Sequence, residues 1–119
     1  MKRGPENESV RELVVFLEKS ARKNDAPIWK AVARRISSPR RRRAEVNVGK
    51  IARIAKKGST ILVAGKVLGA GEIGIKVDVA SLSAARGARE KLAKAGGRLM
   101  SLEELVAANP KGSGVVIVE

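Results

Sequence analysis

A chain of 119 residues with 25 Lys and Arg against 12 Asp and Glu has a formal charge of +13, which repels itself on compaction unless a polyanion takes up the field. Hydrophobic residues make up 44% of it, enough for a core rather than a disordered basic tail, but aromatics only 2%, so that core must be Val, Ile, Leu and Ala. With no Cys and no His, disulfides, a Cys/His zinc site, a thiolate nucleophile and imidazole catalysis are excluded.

The length suits a single domain over residues 1–119. Met1 to Pro5 is basic without a following apolar stretch, and no apolar run approaches the ~18 residues of a membrane span. The expectation is an intracellular, soluble protein with no membrane partner. The charge is uneven: residues 1–58 hold 17 basic and 6 acidic side chains, and residues 59–119 hold 8 and 6. The first part reads as polyanion-facing and the second as a nearly neutral scaffold.

Val10, Leu13, Val14, Leu17 and Ala21 recur at helical spacing, which predicts an amphipathic helix over 7–23 with Asn7 or Ser9 as its cap. Asn24 and Asp25 interrupt it. Pro27 suits the first turn of a second helix to about Ser37, with Ile28, Val32 and Ile36 on one face and Lys30 and Arg34 on another. Trp29, the only Trp, reads as packing between helices rather than as a base-stacking platform. Ser37, Ser38 and Pro39 end this helix, and Arg40, Arg41, Arg42 and Arg43 follow as an exposed strap, because four adjacent cations resist burial. After a short extended stretch from Ala44 to Val48, a helix over 49–57 is predicted, with Ile51, Ile54 and Ala55 inward and Lys50, Arg53 and Lys57 outward.

The β-branched run from Ser59 to Leu68 predicts a strand, and the alternation of Ile73, Ile75, Val77 and Val79 predicts a second, joined to it by a turn at Gly69, Ala70 and Gly71. Ser83 is placed to cap a helix with Ala84, Ala85, Ala88, Leu92 and Ala95 inward and Gly96 at its end. A short strand from Arg98 to Met100, a helix opened by a Ser101–Glu104 capping box, and a terminal strand from Val115 to Val118 complete the chain. This order predicts an α/β fold: a basic N-terminal helical region, then a core with a mixed sheet.

Gly69 to Gly74 matches G-x-G-x-x-G, but the alternation that follows predicts a strand where a dinucleotide site needs a helix N-terminus. Gly65-Lys66 lacks the leading glycine and the following Ser or Thr of a P-loop. Lys66 beside Gly69 and Gly71 still offers a turn whose backbone can approach a phosphate. Glu103 and Glu104 are accounted for by the capping box, and no catalytic residue, cofactor or metal is expected. The arginine strap, lying inside a globular pattern, points to phosphates and base edges of folded nucleic acid. Composition alone therefore reaches a basic nucleic-acid binder, with a stand-alone DNA- or RNA-binding module as the alternative to an assembled one.

The run Arg34-Arg35-Ile36-Ser37-Ser38-Pro39-Arg40-Arg41-Arg42-Arg43-Ala44-Glu45-Val46-Asn47-Val48-Gly49-Lys50-Ile51 resembles the archaeal and eukaryotic large-subunit ribosomal protein family eighteen, e-type. The likeness extends through Ala26 to Ala33, Gly65 to Gly71, Ala95 to Gly97 and Asn109 to Ser113. It implies a β-β-α superhelical core similar to the C-terminal domain of bacterial large-subunit protein fifteen. It also implies a non-catalytic protein of the cytoplasmic ribosome, bound to large-subunit ribosomal RNA and to neighbouring ribosomal proteins. The family's basic signature falls on Arg40 to Arg43, Asn47 and Lys50, and its glycine-rich loop on Lys66, Gly69 and Gly71. With the helix-borne Lys30, Arg34, Arg35 and Arg53, these are the expected RNA-binding residues.

Overall fold

The computed structural model describes residues 4–56 and 59–119. Five strands form one sheet, each parallel to its neighbours: β1 (Ala44–Asn47), β2 (Thr60–Leu68), β3 (Asp78–Ala84), β4 (Arg98–Met100) and β5 (Val115–Val118). The long β2 is central. On one side it pairs with β3, which pairs with β4; on the other, its first half pairs with β5 and its second half with β1. β1 and β5 thus lie end to end along one edge of β2.

The α/β class is as expected, but the pairing is parallel throughout rather than mixed, and there is no hairpin at Gly69 to Gly71. Residues 69–77 instead return alongside the sheet so that β3 starts level with the start of β2, Asp78 opposite Thr60. Nine residues must retrace a nine-residue strand, about 30 Å at 3.3 Å each, so this crossover has to be extended. That is why Ile73, Ile75 and Val77 alternate: Ile73 and Val77 are buried against the sheet while Gly74 and Lys76 are exposed. The periodicity gives the correct inward side chains without a hydrogen-bonded strand. The true β3 begins where that alternation ends, and Ser83 belongs to it rather than to a helix cap.

Helices cover both faces. On one lie α1 (Gly4–Lys23), α2 (Pro27–Ile36) and α5 (Leu102–Ala108). Their Leu13, Leu17, Trp29, Val32, Ile36, Leu102 and Leu105 pack with Leu62, Ala64 and Ala80 of the sheet. On the other lie α3 (Val48–Ile54), α4 (Arg86–Lys94) and the extended crossover, whose Ile51, Ile73, Val77, Ala88 and Leu92 cover Ile61, Val63, Val67 and Val79. Both clusters draw residues from either side of position 58. α1 starts at Gly4, upstream of Asn7 and Ser9, so neither caps it. α3 ends at Ile54, which is 45% exposed rather than inward, and Lys57 lies outside the described residues.

Local signals that depend on near neighbours hold. Ser101 Oγ accepts from the Glu104 N–H at 3.0 Å and Glu104 Oε1 accepts from the Ser101 N–H at 2.7 Å, which satisfies donors that would otherwise be orphaned at the start of α5. Trp29 is wholly buried, its indole N–H donating to the Pro110 carbonyl at 2.7 Å, so the ring pins the approach to β5 onto α2. Among the described residues no helix is long and apolar enough to cross a membrane, and no cluster of acidic residues could hold a metal ion.

Candidate nucleic-acid interface

The arginine strap has a defined shape. Arg40–Arg42 form a single 3-10 turn, closed by the Arg42 N–H on the Pro39 carbonyl at 2.8 Å and the Arg43 N–H on the Arg40 carbonyl at 3.1 Å. With three residues per turn, consecutive side chains leave the axis about 120° apart, so these arginines address different directions rather than one anion. Arg40, Arg41 and Arg42 are exposed. Arg43 is half-buried and turns back, its Nε donating at 3.1 Å to the Ile36 carbonyl at the C-terminal end of α2, where helix carbonyls favour a cation.

Beside the strap a groove of about 610 Å³ opens between the first half of α1, the strap and the sheet. Arg40, Arg43 and Lys66 line it. Lys66 is exposed on β2, opposite Glu45 of β1 and Ser83 of β3. Gly65, one residue earlier, admits the close approach of β1: a Cβ there would stand 2.0 Å from the Ala44 carbonyl oxygen. Backbone crowding in the sheet thus fixes how β1, which follows the strap, lies beside Lys66.

Other expected residues have internal partners. Asn47 Oδ1 accepts from the Ala70 N–H at 3.0 Å, and the Gly49 N–H donates to the Ala70 carbonyl at 3.0 Å, which clamps the glycine-rich turn to the start of α3. Gly71, at φ +87°, abuts Gly49; Gly69 abuts Gly87 and Ala88 at the start of α4. Gly69 and Gly71 therefore serve packing between backbones, and the structure sets them against α3 and α4 while Lys66 lines the groove. Arg35 Nε donates to Glu119 Oε2 at 2.6 Å, and Lys50 Nζ donates to the Glu119 main-chain oxygen. One residue after β5 is thereby held by helices from opposite faces of the sheet. Lys30 and Arg34 are exposed one turn apart on α2, and Arg53 is exposed on α3.

Sequence reasoning missed Lys91. From α4 its ammonium donates to the carbonyls of Gly69 at 2.9 Å and Gly71 at 2.5 Å and lies 3.5 Å from Glu72 Oε2. In the sequence it is one lysine among several on a basic helix, and nothing local sets it apart; the turn comes close to α4 because Gly69 lacks a side chain, a Cβ there standing 3.1 Å from the Ala88 nitrogen.

Residues 3–119 match the model of a family described as ribosomal protein 60S L18 and 50S L18e. The chain is 54% identical over 101 residues to the large ribosomal subunit protein eL18 of Archaeoglobus fulgidus, covering 85% of this chain and 86% of that one. It is 45% identical over 112 residues to the protein of the same name from Methanococcus maripaludis, covering 94% and 93%. Against that of Pyrobaculum aerophilum it is 45% identical over 115 residues, covering 97% and 94%.

Proposed function

The chain belongs to the family of ribosomal protein 60S L18 and 50S L18e, a structural and non-enzymatic constituent of the large ribosomal subunit, and on that premise we propose that it stabilises folded large-subunit ribosomal RNA by direct contact. The observation that supports this reading is the gathering of Arg40, Arg43 and Lys66 around one groove, with Arg41 and Arg42 exposed beside it. Guanidinium forks there take phosphate oxygens from RNA segments that approach along different directions, which fixes their packing without chemistry. Lys30, Arg34 and Arg53 widen the basic surface. Arg35 and Lys50 reach RNA while still engaged with Glu119, and Asn47, Gly69, Gly71 and Lys91 shape the surface from within. Recognition comes from RNA shape and from bases exposed in loops. The protein's expected place is the cytoplasmic ribosome, beside other large-subunit proteins.

Binding to large-subunit ribosomal RNA across a salt series, with unrelated RNA and equal-length duplex DNA as competitors, tests the proposal. Retention against both competitors at high salt is the expected result. Equal competition by all three would leave a generic basic binder and overturn shape-specific recognition.

A further inference from the structure

The groove beside the strap is not lined by cations alone. Glu45 and Glu103 border the same opening as Arg40, Arg43 and Lys66, and Leu82 contributes apolar lining. Glu45 and Lys66 are register partners on adjacent strands, so an acidic and a basic side chain leave the sheet on the same face. Two carboxylates are unfavourable where a continuous phosphate backbone lies in the opening, and a bare phosphate has no use for a leucine. A single nucleotide has parts for all three surfaces: a phosphate for the cations, a ring face for the aliphatic lining, and N–H groups for carboxylates that only accept. The volume, about 610 Å³, lies in the range of small-ligand sites.

We propose that this groove receives one unstacked nucleotide of the bound RNA, its phosphate at Arg40, Arg43 and Lys66, its base against Leu82, and an exocyclic amine donated to Glu45 or Glu103. This rests on the RNA-binding reading above and deepens it. The preferred base is adenine, cytosine or guanine, because uracil has no exocyclic amine. The cost of unstacking is smallest in a loop or bulge, so the nucleotide comes from an unpaired segment.

Two measurements on the full chain decide it. Ser83→Trp places a ring in the groove from an exposed position and removes no cation. Expected is about tenfold weaker binding to large-subunit ribosomal RNA with an unchanged salt slope, since the substitution displaces a base and leaves every phosphate partner in place. Unchanged affinity overturns the proposal. Short-wave ultraviolet crosslinking of the wild-type complex, read by mass spectrometry, needs no variant to fold: an adenine, cytosine or guanine adduct on the peptide around Leu82 to Ala84 supports the site. Adducts confined to other peptides, or a uracil adduct there, overturn it. A wild-type chain that does not discriminate ribosomal from unrelated RNA fails the broader reading instead, and is recognised before either measurement is made.

Discussion

Gly71 and Gly49 meet backbone to backbone: a Cβ built on Gly71 would stand 2.7 Å from the Gly49 Cα, and Gly71 is also held at φ +87°. Both conditions exclude a side chain, one by contact and one by conformation. Gly71→Ala is therefore expected to cost about 1–3 kcal/mol of unfolding free energy, read from urea titration. Gly74, with open space around it and no positive φ, is the control, and its Ala variant should stay within about 0.5 kcal/mol of the parent. Equal losses in both would mean that the Gly49 contact is not what limits position 71.

Lys91→Met keeps the stem and removes the ammonium from the Gly69 and Gly71 carbonyls. The site is partly open and water takes over some of the ammonium's hydrogen bonding, so a cost of about 1 kcal/mol is expected. The more specific readout is hydrogen exchange of the Gly49 amide, which bonds to Ala70 inside the clamped turn and should exchange faster. Unaltered exchange would show that Asn47 holds the turn by itself.

Replacing Arg41 and Arg42 with Ala leaves the Arg43 anchor on α2 in place, so the fold should be little changed. Removing one cation from a phosphate lowers the log–log salt slope by roughly 0.9, and the double variant should drop by close to two units. Affinity falls for ribosomal RNA at low salt most of all. A slope that does not move would take these two arginines out of the interface.

Glu119→Gln removes the ion pair with Arg35 but preserves the main-chain oxygen that Lys50 reaches. Both partners are substantially exposed, at 39% and 60%, so the stability change should stay below about 1 kcal/mol and shrink further in high salt. A larger, salt-insensitive loss would mean that the end of β5 needs the carboxylate for its docking.

Features set by a few adjacent residues were legible in the sequence. The Ser101–Glu104 box, the Pro27 helix start and the exposed strap all follow from side chains acting on their own neighbourhood. Pairing partners were not. Ile73, Ile75 and Val77 alternate because they ride on a sheet face, and a chain pressed extended against a sheet presents the same period as a strand inside one. β3 was obscured by its small polar residues: Ser81 is buried, its hydroxyl donating to the Ser83 carbonyl at 3.0 Å, and Ser83 resembles a helix cap. At the interface, residue type pointed to the cations but not to their partners. That Glu119 lies between Arg35 and Lys50, or that Lys91 organises a turn twenty residues earlier, depends on distances only the fold creates.

The end-to-end arrangement of β1 and β5 along β2 also sets an order of events during synthesis. β1 precedes β2 in the chain and can dock on the second half of that strand as soon as it emerges, whereas the edge of Thr60 to Val63 waits for Val115 to Val118. A nascent chain stalled before residue 115 therefore presents an apolar strand edge with free amides and carbonyls, a template for mispairing with other chains. The last strand of the chain is thus also the one that closes the exposed edge of its central strand.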